Sequence, residues 1–143
     1  MKRVRAAYPA LLAFVVLAAC GSATGNGVAN PSPSPGEFRV AGDAQNGTTV
    51  DLHVGDRLAV TLHSTYWTIS GSSNPRVLTA EGPEAVSPAP GGCVPGGGCG
   101  TVTMIFDVIG MGSADVTASR VSCGEAMLCT GTQGSYKITV ASS

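Results

Sequence analysis

Residues 101–109 read TVTMIFDVI, and the fold class turns on how that run is divided. In steps of two, Val102, Met104, Phe106 and Val108 fall on one side, and Thr103, Ile105, Asp107 and Ile109 on the other. Successive side chains point to opposite faces of a strand, so a period of two is a strand signature. Apolar groups on both faces predict a central strand.

The same period recurs on both sides of this run. In residues 48–54, TTVDLHV, Val50, Leu52 and Val54 share one face while Asp51 and His53 share the other. Gly55 and Asp56 then make a turn, and residues 57–63, RLAVTLH, send Leu58, Val60 and Leu62 inward. Residues 113–121, SADVTASRV, align Ala114, Val116 and Ala118, and residues 135–141, SYKITVA, align Tyr136, Ile138 and Val140. EFRVA, YWTIS and PRVLTA are shorter candidates, and no stretch carries a helical stripe. Val, Thr and Ile suit half-buried pleated surfaces. Twenty glycines and nine prolines break the runs. About seven short strands separated by turn residues, over residues 37–143, predict an all-β sandwich.

The chain begins differently. Lys2, Arg3 and Arg5 precede a short apolar run from Leu11 to Ala19. That run is too short to cross about 30 Å of hydrocarbon and reads as a signal peptide over residues 1–19. It ends Leu17-Ala18-Ala19-Cys20, which resembles a bacterial lipobox. The resemblance implies cleavage before Cys20 and acylation of its sulfur with fatty acids such as palmitate. Two or three acyl chains anchor stably, at ~0.8 kcal/mol per buried methylene. The rest of residues 20–36, GSATGNGVANPSPSPG, has no charge and almost no large apolar group, so it cannot bury enough surface to fold. It reads as a tether, semi-rigid in its Pro-Ser half. The expected location is therefore extracytoplasmic, on the bacterial cell membrane.

Without Lys2, Arg3 and Arg5 the eight basic residues fall to five against nine acidic ones, a net charge of −4. No basic patch remains, which argues against nucleic acid as a partner. Serines are plentiful, but there is no G-x-S-x-G elbow and no close carboxylate pair suited to glycoside chemistry. His53 and His63 read as solvated surface residues, with no orienting carboxylate or third ligand at suitable spacing. Met104 and Met111 read as core and turn residues. No enzyme activity, cofactor or metal is expected.

Of the five cysteines, assigning Cys20 to the anchor leaves Cys93, Cys99, Cys123 and Cys129, with five residues between the members of each pair. The first pair lies in GGCVPGGGCG, residues 91–100. No Lys-Ser/Thr or helix follows, so this is not a phosphate-binding loop. The spacing is too long for a C-x-x-C redox pair and for usual structural zinc ligands. An oxidising compartment favours disulfides. Proximity favours two local bridges, although four cysteines allow three pairings.

With these elements in place, a resemblance emerges over roughly Thr49 to Val140, in VDLHVGDRLAVTLHSTYWTIS, GGCGTVTMIFDVIGMGSADVTASR and YKITV. The pattern resembles the chagasin-like family of cysteine-peptidase inhibitors. The resemblance implies an immunoglobulin-like β-sandwich that binds papain-type peptidases through three loops at one end. The family's first loop carries N-P-T-T-G-Y/F, where this chain has only HSTYW with Tyr66 and Trp67. The second carries G-x-G-G, loosely matched by Gly97-Gly98-Cys99-Gly100. The third carries R-P-W/F, of which Arg120 alone is kept in Arg120-Val121-Ser122. The resemblance puts both cysteine-bearing loops at that end, where stapling would preorganise a binding edge. The implied contact residues are Tyr66, Trp67, Gly97, Gly98, Gly100 and Arg120. In a sandwich a lone Trp such as Trp67 most often packs the core, and at a loop end it is a binding anchor. The departures from the motifs leave a second expectation, a structural or adhesive module that holds another envelope protein.

Overall fold

The computed structural model of the chain describes residues 36–143. The signal peptide, Cys20 and residues 20–35 of the tether lie outside the described residues. The alternating segments form strands β1 (Phe38–Ala41), β2 (Thr49–Leu52), β3 (Arg57–His63), β4 (Thr68–Ser72) and β5 (Leu78–Ala80). They continue as β6 (Ala85–Pro88), β7 (Gly100–Val108), β8 (Gly112–Ser119), β9 (Ser122–Gly124), β10 (Met127–Leu128) and β11 (Ser135–Ser142).

Residues 101–108 of the TVTMIFDVI run lie in β7, which is central. Its sheet has the order β1-β3-β7-β5. β3 pairs along one side of β7, while β5 and β6 share the other, β5 at Phe106 to Val108 and β6 at Gly100 to Thr103. The second sheet has the order β2-β11-β8-β4, and β9 and β10 form a separate two-stranded hairpin. Each large sheet takes one strand in parallel, β1 on β3 and β2 on β11. Together the sheets make an immunoglobulin-like β-sandwich.

Register explains the core. In the first sheet Leu58 lies opposite Phe106, Val60 opposite Met104 and Leu62 opposite Val102. In the second, Val116 faces Ile138, Ala114 faces Val140 and Ala118 faces Tyr136. These inner faces meet in one buried cluster that runs from Ala41 to Val140 and adds Leu52, Trp67, Ile69, Val77, Leu78 and Val108. Burying each large apolar side chain stabilises the fold by about 1.5–3 kcal/mol, so the alternation decides which face turns inward. Among the described residues, this core lies within residues 41–140.

The turn at Val54, Gly55 and Asp56 departs from the expected pattern. Val54 does not join Val50 and Leu52 inside; β2 stops at Leu52 and Val54 is exposed. The cause is Asp56, the one buried charged residue among those described. Its carboxylate accepts the backbone N–H groups of His53 and Glu37, each at 2.8 Å. Satisfying that carboxylate bends the chain out of the strand and carries Val54 with it.

The strands number eleven among the described residues, rather than about seven. The unforeseen ones are β6, β9 and β10. AVSP has little alternation and ends in proline, and β9 and β10 hold only three and two residues, too few to show a period.

Candidate functional site

Three connections meet at the end of the sandwich where β7 begins and β8 finishes: residues 64–67, residues 89–99 and residues 120–134. They are tied by main-chain hydrogen bonds. Ser64 N–H donates to Gly100 O at 2.9 Å and Thr65 N–H to Gly98 O at 2.8 Å. Glu125 N–H donates to Gly96 O at 2.8 Å. The middle loop is thus held by both neighbours.

Cys93 bonds to Cys99 and Cys123 to Cys129, the local pairing that proximity favours. The first bridge closes the glycine-rich loop, inside which Gly97 N–H donates to Val94 O at 2.9 Å. The second closes the hairpin of β9 and β10. The turn of that hairpin is Glu125-Ala126, and both residues have positive φ, 35° and 63°. Two-residue hairpins favour that geometry because it matches strand twist, yet Asn-Gly supplies it more readily than Glu-Ala. Nothing in the sequence of this turn announced a hairpin.

The glycines of GGGCG are required by close approach. A Cβ on Gly98, whose φ is +61°, would stand 2.4 Å from the Tyr66 ring. On Gly100, with φ of +126°, it would stand 2.3 Å from Ser87 O. Gly98 therefore seats Tyr66, which is half-buried against the loop.

Trp67 belongs to the core rather than to the surface. It is buried, and its indole N–H donates to His63 O at 3.0 Å. Above it lies Arg120, its guanidinium carbon 4.5 Å from the ring centroid. Arg120 Nε–H also donates to Gln133 O at 3.1 Å. Of the six residues the resemblance pointed to, the structure brings all to one end, but Trp67 is covered and Arg120 is spent on covering it.

Sequence reading missed the side chains that this end does expose. Val94, Val121, Met127 and Leu128 all project into solvent. Their apolar character was legible, but their exposure depends on the hairpin and the bridges.

Each histidine has a carboxylate after all. His63 Nδ1 lies 2.6 Å from Asp43 Oδ2, and His53 Nδ1 lies 3.7 Å from Asp56 Oδ2. Burial, the largest single influence on Asp43, raises its pKa, but the hydrogen bonds from His63 outweigh it and the net shift is down. The histidines themselves are apart: His53 sits in the turn before β3 and His63 is the last residue of that strand. No group of three or more His, Cys, Asp or Glu suited to a metal ion occurs among the described residues.

No family model matches this chain, and no curated protein matches it. Among solved structures the fold is similar to amebosin, at a TM-score of 0.54 and 12% identity, over 76% of this chain and 100% of amebosin. It is similar also to the cysteine protease inhibitor EhICP2 from Entamoeba histolytica, at a TM-score of 0.53 and 7% identity, over 75% of this chain and 96% of that one. At such identities the likeness is one of fold, and it extends over about three quarters of this chain, 76% and 75%, and nearly all of each neighbour, 100% and 96%.

Proposed function

We propose that this chain is an extracytoplasmic domain, anchored to the bacterial cell membrane through lipid on Cys20, that binds a papain-type cysteine peptidase with its loop end and inhibits it. The observation that carries this reading is the joining of three loops at one end by the Thr65–Gly98 and Glu125–Gly96 hydrogen bonds. Preorganised loops lose less entropy on association. The fold on which they sit is shared with a cysteine protease inhibitor.

The test is a titration of papain, at fixed substrate, with residues 37–143, which hold the core of the described residues. Saturable inhibition supports the reading. No inhibition at high micromolar concentration refutes it and leaves a structural or adhesive envelope module. The covering of Trp67 by Arg120 favours that second reading, because it buries the indole and commits the guanidinium to the chain's own core edge.

The anchor rests on Leu17-Ala18-Ala19-Cys20 and on the uncharged tether behind it. Metabolic labelling with palmitate should mark the chain in a bacterial host, and Cys20→Ala should abolish the label.

A further inference from the structure

We infer that the specificity-determining contacts of the loop end are Met127 and Leu128 on the disulfide-closed hairpin, flanked by Val121 and Val94, and that they enter the apolar substrate cleft of a papain-type cysteine peptidase. The inference rests on the function proposed above and names the residues that perform it.

The first reason is exposure. Met127 is 63% exposed, Leu128 72%, Val121 76% and Val94 60%. Large apolar side chains gathered at one end, rather than scattered singly, mark an interaction surface. The residues at the expected motif positions offer less: only Trp67 is fully buried, and the other five are partly covered. Trp67 is buried, Arg120 is stacked on it, and Gly98 is filled by the Tyr66 ring.

The second reason is rigidity. The hairpin is closed at its base by Cys123–Cys129 and braced at its tip, where Glu125 N–H meets Gly96 O at 2.8 Å. The loop that carries Gly96 is itself closed by Cys93–Cys99. A braced hairpin has little backbone freedom left to lose on association, so the cost of ordering falls mainly on the side chains.

The third reason is charge, and it chooses the partner. Residues 64–67, 89–99 and 120–134 contain two charged residues, Arg120 and Glu125. Arg120 is occupied by Trp67 and Gln133. An end so poor in charge is cheap to desolvate against an apolar cleft, and it gives a highly charged surface nothing to pair with.

The experiment compares three proteins in the papain titration: wild type, Met127→Ser/Leu128→Ser, and Met111→Ser. Met111 is 76% exposed in the turn between β7 and β8, at the opposite end, and controls for loss of any exposed apolar group. Near-ultraviolet circular dichroism verifies that all three are folded. Anchor residues at an interface centre typically dominate its affinity, so the double variant should weaken inhibition at least about thirtyfold. Met111→Ser should inhibit like wild type. Wild-type inhibition that survives in the double variant overturns this inference and leaves the inhibitory function standing. Equal weakening by Met111→Ser also overturns it. A wild type that fails to inhibit papain overturns both.

Discussion

The guanidinium of Arg120 lies 4.5 Å from the centre of the Trp67 ring and closes the core at the loop end. One face of the indole packs inward while the cation covers the other, and the Nε–H of the same arginine holds Gln133 O. Arg120 thus links the end of β8 to the segment that leads into β11, and its role in binding would be one of positioning.

Arg120→Ala should therefore lower stability by about 1–2.5 kcal/mol, the sum of a partly exposed cation–π contact and one solvent-exposed hydrogen bond of ordinary strength. Urea denaturation followed by Trp67 fluorescence measures this directly, since Trp67 is the chain's single tryptophan. The midpoint should fall in Arg120→Ala, and Arg120→Lys should restore it only in part, because lysine cannot reproduce the planar stack. A variant as stable as wild type would show the stack to be incidental.

The bridges should act locally. Closing a seven-residue loop removes only about 2.4 kcal/mol of unfolded-chain entropy. Cys93→Ser/Cys99→Ser should thus leave the sandwich folded and lower its stability by no more than about that amount. Its clearest effect should be on hydrogen exchange at Thr65 and Glu125, whose N–H groups donate into the bridged loop at Gly98 and Gly96. Both should exchange faster, while amides between β8 and β11 should not. Uniform acceleration would mean that the bridge supports the whole domain.

How much of this could be read from the sequence depends on the range of the signal. Alternation is local, so β2, β3, β7, β8 and β11 and their inward faces were legible, Val54 excepted. Val54 failed because Asp56 captures two backbone N–H groups, one of them at Glu37, nineteen residues away. The pairing of His63 with Asp43 crosses twenty residues in the same manner. At the loop end the cysteine pairing followed from proximity, and the glycine positions followed from resemblance. The fate of Trp67 and the exposure of Met127 and Leu128 did not, because a side chain's exposure is decided by what else arrives beside it. Arg120 arrives beside Trp67, and nothing described arrives over the hairpin.

Asp56 should govern the acid limb of stability. The His53 backbone N–H holds its carboxyl below the ordinary range, burial opposes this, and the Glu37 N–H adds to the lowering. A carboxyl with a depressed native pKa contributes stability above its unfolded value, near 3.9, that is lost as pH falls through the native one. Asp56→Asn removes the titration, so its stability should fall less steeply than that of wild type below about pH 4. At pH 7 it should be the less stable of the two, since the Glu37 and His53 N–H groups use separate carboxylate oxygens and an amide keeps only one acceptor, which leaves one N–H facing an NH2. Denaturant midpoints at pH 3 and pH 7 for both proteins give the comparison, and parallel profiles would remove Asp56 from the account.

Tyr136 should govern the alkaline limb. It is buried opposite Ala118, and its hydroxyl finds no hydrogen-bond partner among the described residues. Burial, reinforced by the negative charge of Asp43, pushes its pKa up to about 12. The unfolded chain gives up this proton near pH 10 while the folded chain retains it. The stability associated with the protonated phenol is therefore complete below about pH 10 and is lost as pH rises from there toward the native value. Tyr136→Phe should abolish that slope. At pH 7 it should change stability by less than about 1 kcal/mol, because removing a buried hydroxyl that has no partner gives up no hydrogen bond. Denaturation midpoints at pH 7 and pH 10.5 test both statements. A large loss at pH 7 would mean that the hydroxyl is satisfied in solution, and an undiminished alkaline slope in Tyr136→Phe would assign that limb to another group.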